Sequence, residues 1–376
     1  MQVIFVEGNI NKRLNLVLSG GGIKGIAYIG VFEVIESMGY HAGNIAGVSA
    51  GALAGSFAAA GYKADEIKKI MHEFDFEKLS ISQIPQKVPV VQRYMEYNPE
   101  LLMQTRNNMR FFMSNTNYNE RSNDDIEFLL DLPQYRANFL KNLVTLSKKG
   151  SLFDGDLLEN WVYKVLARRG IKKFGDLRGG IKDQVNPGGY KLRMTAVDIN
   201  RAKIVVLPDD ISYYGIEPDK LEVAKAVRMS TAVPFAFKAV ELPKTECSKT
   251  KMHYLVDGGV FDNFPMWMIN YSKTVPKIGF RLYSGEEKLL SLSTPLKVLK
   301  SLINAVHDTG VPTNQVDSSF IAKIDVSKVS SLDFGLDEEE KDYLYNSGKN
   351  AAYKFFSSFD YRISNIRYLF HWLFGR

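Results

Sequence analysis

The sequence has little of several features that define whole classes of protein. It contains one cysteine, Cys247, in 376 residues, which excludes an intramolecular disulfide framework and a zinc site built from several cysteines. No uninterrupted apolar run reaches the length of about 20 residues that a membrane-spanning helix needs. The first residues, MQVIFVEGNINKR, have no basic segment before their apolar run and no small-residue cleavage site, so no secretory signal is predicted. These absences together predict a cytoplasmic protein.

The charge of the chain points to an anionic partner. The formal net charge is +6, the sequence pI is about 9.0, and 45% hydrophobic with 24% charged residues is ordinary for a folded protein. Such a balance favours either nucleic acid or a membrane surface. The basic residues are scattered and no known nucleic-acid-binding module is recognisable. No nucleic-acid partner is predicted, and the sequence identifies no protein partner.

The N-terminal region has the pattern of a βαβ unit. A buried strand is predicted over Arg13 to Ser19, a glycine loop follows at Gly20 to Gly25, and a helix over Ile26 to Met38 ends at Gly39. The loop lacks the later acidic residue of a dinucleotide site and the Lys-Ser/Thr pair of a phosphate-binding P-loop. Two interpretations stay open: a nest of backbone N–H groups able to hold an oxyanion, or a tight turn without a ligand.

A second motif follows the next predicted strand. Gly47 to Gly51 has the pattern G-x-S-x-G, in which a serine occupies a cramped turn between a strand and a helix. Glycine is expected on both sides because the turn strains the backbone of Ser49 and leaves no space for a neighbouring Cβ. The alternative is a helix of small residues preceded by an ordinary Gly-Ser loop.

The remainder of the chain alternates between helical and strand-like patterns. A change of character at about residues 80–150, with many Asn and aromatic residues, predicts a helical insert. The C-terminal segment YRISNIRYLFHWLFGR is either a docked amphipathic helix or an interfacial one. Further helices are predicted over Tyr62 to Leu79, Ser151 to Leu166 and Leu221 to Met229. Further strands are predicted over Tyr190 to Ile199, Arg201 to Leu207, His253 to Asp257 and Lys277 to Leu282. A loop is predicted around Cys247, and the chain after Leu282 is predicted to be mostly helical.

A reactive serine needs a base, and the sequence offers two kinds. The histidines are His41, His72, His253, His307 and His371. An α/β-hydrolase order of Ser, acid and His would require His307, although no loop signal surrounds it. A desolvated carboxylate can serve instead, and Asp257, at a strand end before Gly258 and Gly259, is the best candidate. The alternative for this Asp-Gly-Gly sequence is a hairpin turn.

Taken together, these motifs resemble the patatin-like phospholipases. Gly20 to Gly25 matches the family motif G-G-G-x-[KR]-G, Gly47 to Gly51 matches G-x-S-x-G, and Asp257 to Gly259 matches D-G-[GA]. Secondary matches are DGDLL at residues 154–158, FGDL, TAVD, S-x-A-x-P at 230–234 and FDNFP after the glycines. The resemblance implies a patatin-like domain over residues 14–281, interrupted by the insert, and a mostly helical C-terminal extension over 282–376 packed on or next to the core.

The resemblance implies a fold and an activity. The fold is a three-layer α/β/α arrangement around a central, mostly parallel sheet, and the activity is hydrolysis of ester bonds in membrane phospholipids or other acyl lipids, with peripheral membrane contact. Ser49 is the implied nucleophile and Asp257 the base, while the N–H groups of Gly20, Gly21 and Gly22 are the implied oxyanion hole. Lys24 either orients the loop or meets an anionic headgroup. The supporting motif positions are Gly25, Gly47, Gly51, Gly258 and Gly259.

No metal or other cofactor is expected, since neither chemical step requires one and the sequence offers no convincing cluster of metal ligands. An aspartate base also predicts an acid limb of the pH profile below that of histidine, unless the carboxyl is strongly buried. Two other classes stay open. A histidine-dependent esterase would use His307, and a non-catalytic lipid-binding protein would keep the fold without the chemistry.

Overall fold

The computed structural model describes residues 13–79, 153, 155–234, 236–246, 249–270, 275–284, 320–331 and 334–359. The predicted insert at about 80–150, Cys247, His307, His371 and the segment from residue 360 onwards lie outside these ranges. The strands are β1 (Arg13–Leu18), β2 (His41–Gly47), β3 (Leu192–Asp198), β4 (Lys203–Leu207), β5 (Val240–Glu246), β6 (Lys249–Asp257), β7 (Lys277–Tyr283) and β8 (Ile321–Asp325). The helices are α1 (Ala27–Ser37), α2 (Ala50–Ala59), α3 (Ala64–Glu73), α4 (Gly155–Ala167), α5 (Val223–Ser230) and α6 (Glu338–Ser358).

The predicted βαβ unit is confirmed. β1 and β2 run parallel, in a register that pairs Leu18 with Gly47, and α1 crosses between them. The helix begins after a 3-10 turn at Gly22–Ile26, and its chain direction reverses at Gly39, whose φ of 71° lies in the left-handed region that glycine tolerates. The glycine loop therefore lies directly at the carboxyl end of β1.

The sheet is mixed and mostly parallel, as predicted. Its strand order is β5-β6-β3-β2-β1-β7-β8, and β4 pairs with β3 outside this path. The pairs β1–β2, β2–β3, β1–β7 and β7–β8 are parallel, whereas β3–β4, β3–β6 and β5–β6 are antiparallel. The central strands β1 and β2 thus lie between parallel neighbours, and their carboxyl ends form the edge where Ser49 and the glycine loop emerge.

Two strands differ from the sequence prediction. The loop predicted around Cys247 is flanked by β5 and β6, which pair from Val240 with Leu255 to Glu246 with Lys249. The β5 sequence VELPKTE has a weak alternation and contains Pro243, which sheets tolerate at an edge. β8, which pairs with β7, lies in the region predicted to be mostly helical. A strand of five residues at a sheet edge leaves little periodic signal.

The core lies mainly on one face of the sheet. Alternate residues of β1, Leu14, Leu16 and Leu18, face the cluster to which all six helices contribute. Val17 points to the opposite face, where it packs with Ala46 and residues 264–269. Both faces of β1 are therefore covered, as expected for a parallel strand in the interior of a sheet.

The predicted helical C-terminal region is represented by α6. Asp337 caps this helix, since its Oδ1 accepts the N–H of Glu340 at 2.8 Å. The helix packs closely on α1: a Cβ at Gly348 would overlap the carbonyl of Ala27, and one at Gly30 would overlap the carbonyl of Tyr345. These two glycines let the backbones approach, so α6 covers the helix that follows the glycine loop.

Candidate active site

Ser49 has the strained backbone that the sequence predicted. It lies between β2 and α2 with φ 52° and ψ −122°, a region that residues with a side chain rarely occupy. A Cβ at Gly47 would come 2.5 Å from the carbonyl oxygen of Gly51, and one at Gly51 would overlap the carbonyl of Leu18. Both flanking glycines are therefore required by space. This is the geometry of a nucleophile elbow.

Asp257 is held at the end of β6 by two hydrogen bonds. Its N–H donates to the carbonyl oxygen of Ala232 at 3.0 Å, and its Oδ1 accepts the N–H of Gly259 at 2.7 Å. The residue is 1% exposed. Its Oδ2 atom is buried, and no donor among the described residues meets the distance and angle of a normal hydrogen bond to it. A Cβ at Gly258 would overlap Thr195, so the backbone passes close to β3 at this point. Oδ1 is thus fixed by a hydrogen bond, whereas Oδ2 has no hydrogen bond of normal geometry within the described residues.

The surroundings of Asp257 change its acidity. Burial raises the pKa of Asp257 to about 7, against the opposing effects of the nearby Ser49 hydroxyl and of the hydrogen bond from Gly259. The Ser49 hydroxyl therefore lies close enough to this carboxyl to affect its acidity. Burial moves this carboxyl into the range where histidine titrates, so the exception expected for a strongly buried Asp257 applies and the position of the acid limb does not separate the two bases.

The glycine loop adjoins Ser49. A Cβ at Gly20 would lie 3.1 Å from the Cβ of Ser49, and one at Gly25 would lie 2.8 Å from the Cβ of Ala50. The N–H of Gly20, however, donates to the carbonyl oxygen of Asn263 at 3.1 Å. That contact removes the Gly20 amide from the predicted set of oxyanion donors, because a backbone N–H already paired in this way is not open to a ligand.

The other two loop glycines, Gly21 and Gly22, differ from Gly20 in this respect. Gly22 has φ 60°, and a Cβ there would overlap the carbonyl of Ser331. Within the part of the chain that the structure describes, the N–H groups of Gly21 and Gly22 have no hydrogen-bond acceptor. Adjacent backbone amides that lack an acceptor are the kind of group that can stabilise a negative oxygen.

Lys24 connects the glycine loop to the end of β7. It is 6% exposed, and its Nζ donates to the Ser284 hydroxyl at 2.7 Å, just beyond the end of β7. Tyr28 adds a second support, since its hydroxyl donates to the carbonyl oxygen of Ser19 at 2.7 Å. Of the two roles considered for Lys24, the buried contact supports orientation of the loop.

An apolar cavity of about 700 Å³, including its opening to solvent, begins at Ser49. Its wall is formed by the glycine loop, by α1, α2 and α3, and by aromatic residues. The lining includes Ser49, Gly22, Leu53, Ala54, Phe237 and Phe334. The apolar character of this lining suits an alkyl chain.

The histidines that the structure describes have other positions or partners. His253 Nδ1 lies 2.8 Å from Asp198 Oδ2, which also accepts the Tyr214 hydroxyl at 2.7 Å. His72 Nδ1 lies 3.9 Å from a carboxylate oxygen of Glu338. His41 begins β2, about 25 Å of extended chain before Ser49. His307 and His371 lie outside the described residues, so the histidine alternative rests on sequence alone.

Two residues in contact with the site received no role from the sequence. Ser230 Oγ accepts the N–H of Ser49 at 3.0 Å, and Asn263 accepts the N–H of Gly20. Both belong to strings that the sequence does contain, S-x-A-x-P and FDNFP. These two motifs mark the residues in the sequence. A motif alone does not reveal which backbone N–H its side chain or carbonyl will contact.

The described residues form neither a metal-binding cluster nor a membrane-spanning helix. The described part of the chain holds no group of three or more His, Cys, Asp or Glu side chains arranged to bind a metal ion. Within those residues, no helix combines the length and apolarity required to cross a bilayer.

Solved structures similar to this chain include bacterial proteins of larger size. VipD from Legionella pneumophila has 16% sequence identity and a TM-score of 0.47, covering 92% of this chain and 67% of its own. The ExoU–SpcU complex of the type III secretion system of Pseudomonas aeruginosa has 17% identity and a TM-score of 0.38, covering 92% and 51%. This chain therefore spans about half the length of the matched chain of that complex.

Sequence comparison provides the family. The profile described as "Patatin-like phospholipase" matches residues 16–269. "Uncharacterized protein YqhO" of Bacillus subtilis (strain 168) is 30% identical over 350 residues, covering 92% of this chain and 98% of its own. "Uncharacterized protein R571" of Acanthamoeba polyphaga mimivirus is 22% identical over 347 residues, covering 89% and 90%. The chain belongs to the patatin-like phospholipase family.

Proposed function

We propose that the protein is a lipid acyl hydrolase of phospholipase A or lysophospholipase type, with Ser49 as nucleophile and Asp257 as base. Four features support this: the strained elbow at Ser49, the buried carboxyl that interacts with its hydroxyl, the paired amides of Gly21 and Gly22, and an apolar cavity that starts at the same serine. Membership of the family supports the substrate class.

The first half of the reaction forms an acyl-serine. Asp257, through its unoccupied Oδ2, takes the hydroxyl proton while Ser49 Oγ attacks the ester carbonyl carbon. The N–H groups of Gly21 and Gly22 stabilise the negative oxygen of the tetrahedral intermediate. Collapse breaks the bond between carbon and the leaving oxygen, which receives the proton from Asp257. An alcohol or a lysophospholipid leaves, and the acyl group stays on Ser49.

The second half repeats the same proton transfers with water. Asp257 takes a proton from the water that attacks the acyl-serine, and the loop amides stabilise the second oxyanion. Its collapse returns the proton to Ser49 Oγ and releases a fatty acid. A base with a pKa near the working pH suits both roles, because it accepts and returns the proton with little driving force lost.

The cavity supports the choice of an acyl substrate. Its lining side chains are almost all apolar, and Ser49 is one of the residues that line it. An alkyl chain in this cavity would extend from the ester carbon at Ser49 along α2, while a polar headgroup would stay outside. Peripheral contact with an anionic membrane surface belongs to the same proposal and is supported by the formal charge of +6.

The single observation that carries the proposal is the strained backbone of Ser49, which places this serine on the wall of the apolar cavity. A fluorophosphonate labelling reaction on wild type and Ser49→Ala, followed by analysis of the lipid products, tests it. We expect labelling and fatty acid release in wild type and neither in the variant.

Ser56→Ala is the matched control for that experiment. Ser56 is a buried serine on the same helix whose hydroxyl donates to the carbonyl of Leu53 at 2.7 Å, away from the cavity. This variant should be labelled at the wild-type rate. Fatty acid release by a folded Ser49→Ala protein above the level of a no-enzyme control would contradict the proposal.

A further inference from the structure

One short segment contacts both members of the proposed reacting pair. Ser230, the last residue of α5, is fully buried, and its Oγ accepts the N–H of Ser49 at 3.0 Å. Two residues later, the carbonyl oxygen of Ala232 accepts the N–H of Asp257 at 3.0 Å. The turn Ser230–Ala232 therefore holds the backbone of the nucleophile through a side chain and the backbone of the base through a carbonyl.

The sheet alone does not bring Ser49 and Asp257 together. β2 and β6, the strands that lead to them, lie on opposite sides of β3 in the strand order. Gly47 pairs with Met194 and Asp257 pairs with Ala196, so two strand spacings, about 10 Å, separate the two strand ends. A structure that spans β3 is needed to fix the relative position of the two residues. The turn Ser230–Ala232 has contacts on both sides.

The turn is itself well anchored. Thr231 donates its hydroxyl to the carbonyl oxygen of Val227 at 2.8 Å, and its N–H reaches the same carbonyl at 2.9 Å. The N–H of Val233 donates back to the carbonyl oxygen of Thr231 at 2.8 Å. These bonds close the end of α5 and leave the turn little freedom. Its two contacts can therefore transmit a fixed spacing to the site.

We propose that the turn Ser230–Ala232 sets the geometry of the Ser49–Asp257 pair and that Ser230 is a positioning residue for the nucleophile. The inference rests on the proposed function, because it assigns Ser230 a task in that reaction. Ser49 has a backbone conformation that its neighbours must impose, and its buried N–H needs an acceptor. The Ser230 hydroxyl supplies the acceptor, so it fixes where Ser49 Oγ stands relative to the base.

The expected effect of removing this contact is on the rate and not on binding. Misplacement of a reacting group by about 1 Å can lower the rate by about 100-fold. Ser230→Ala should lower kcat by about 10-fold to 100-fold and change KM less than about three-fold, because Ser230 does not line the cavity. The second-order rate of fluorophosphonate labelling should fall in parallel.

The experiment compares Ser230→Ala, Ser230→Thr and the control Ser56→Ala on a soluble p-nitrophenyl ester. Active sites are titrated with a fluorophosphonate, so kcat refers to competent sites only. A merely structural role would lower the melting temperature or the number of sites but leave kcat per site unchanged. Ser230→Thr, which keeps a hydroxyl, should recover most of kcat, and Ser56→Ala should equal wild type.

Each outcome decides the proposal. Wild-type kcat per site in Ser230→Ala overturns it. So does an equal loss in Ser230→Ala and Ser230→Thr, because the hydroxyl would then not be the group that matters. Should Ser230→Ala fail to fold, Ser230→Cys replaces it, since a thiol is a weaker acceptor of similar size; wild-type kcat in that variant overturns the proposal as well.

Failure of the proposed function gives a different result. If Ser49→Ala keeps activity, the proposed reaction is wrong whatever Ser230 does. If Ser49→Ala is inactive and Ser230→Ala matches wild type, the reaction stands and only the positioning role is overturned.

Discussion

The Oδ1 atom of Asp257 accepts the N–H of Gly259 at 2.7 Å. The other carboxylate oxygen, Oδ2, is buried and forms no hydrogen bond of normal geometry with the described residues. A carboxylate normally accepts several hydrogen bonds, so an oxygen left in this state is costly to the fold. That cost is expected where a group must remain available for chemistry. It also makes the stability of the protein sensitive to the charge of Asp257.

Asp257→Asn should abolish turnover and stabilise the fold above neutral pH. The amide cannot take the serine proton, and it avoids the burial of a charge. The wild-type carboxyl has a pKa of about 7 when folded, against an ordinary value of 3.8. The folded protein therefore holds a proton that the unfolded chain releases, and wild-type stability falls as pH rises from about 4 to about 7. This difference is worth at most about 4 kcal/mol.

Thermal unfolding of wild type and Asp257→Asn at pH 4, 6 and 8 checks this prediction. The melting temperature of the variant should exceed that of wild type at pH 8, and the difference should shrink towards pH 4. Ser49→Ala serves as the inactive control with the carboxyl retained. Because it removes the hydroxyl that lowers the pKa of Asp257, its stability should also fall with rising pH, over a range that extends at least as high as in wild type. A constant difference at all three pH values would show that Asp257 does not titrate in this range.

The pH profile of the reaction should rise through about pH 7. A general base acts in its ionised form, and burial raises the pKa of Asp257 to about 7. We expect kcat/KM on a soluble ester to increase about ten-fold per pH unit below that value and to level off above it. A midpoint near the ordinary value of 3.8 would mean that the working carboxyl is solvated, contrary to the burial seen here.

This profile cannot separate aspartate from histidine, so substitutions must do so. His41, His72, His253, His307 and His371 replaced singly by Ala should each keep kcat per titrated site within a few-fold of wild type. His253→Ala should also lower the melting temperature, because His253 is buried against Asp198. Loss of activity in folded His307→Ala, together with activity in Asp257→Asn, would replace the proposed mechanism by a histidine-based one.

The sequence was most informative where local chemistry determines local shape. The G-x-S-x-G pattern predicted a strained serine between a strand and a helix, and both glycines prove to be required by space. The strands that end at Ser49 and at Asp257 were predicted for the same reason. In both cases a short strand-like segment runs into a glycine-containing turn, which leaves few alternatives.

Other features depend on contacts between distant parts of the chain. Ser230 and Ser49 are 181 residues apart, and no periodic pattern links a hydroxyl to a particular N–H. The sequence predicts the Gly20 N–H as an oxyanion donor, but in the structure this group donates to the carbonyl oxygen of Asn263. The pKa of Asp257 follows from burial, which a sequence does not specify. β5 and β8 were missed because edge strands need little alternation.

Membrane binding should depend on charge. Each basic residue near an anionic leaflet contributes about 1 kcal/mol of attraction, which salt screens. Sedimentation with vesicles should show binding that increases with the fraction of anionic lipid and decreases with salt. Ser49→Ala can be used to prevent hydrolysis during the assay. Equal binding to neutral and anionic vesicles at low salt would contradict the electrostatic contribution. A deletion after Ser364 tests the aromatic and basic C-terminal segment.

The cavity should set the preferred length of the acyl chain. Ala54 lies about one and a half turns along α2 from Ser49 and lines the cavity, so Ala54→Trp fills space that a long chain would occupy. We expect the ratio of kcat/KM for a p-nitrophenyl ester of 16 carbons to that for one of four carbons to fall by at least about ten-fold. Ala58→Trp, on the same helix but outside the cavity lining, is the matched control and should leave the ratio unchanged.

Because the short ester still reaches Ser49 in both variants, its turnover reports that the site is intact. A lower ratio in both variants would indicate general disturbance of α2, and an unchanged ratio in Ala54→Trp would mean that the acyl chain binds elsewhere.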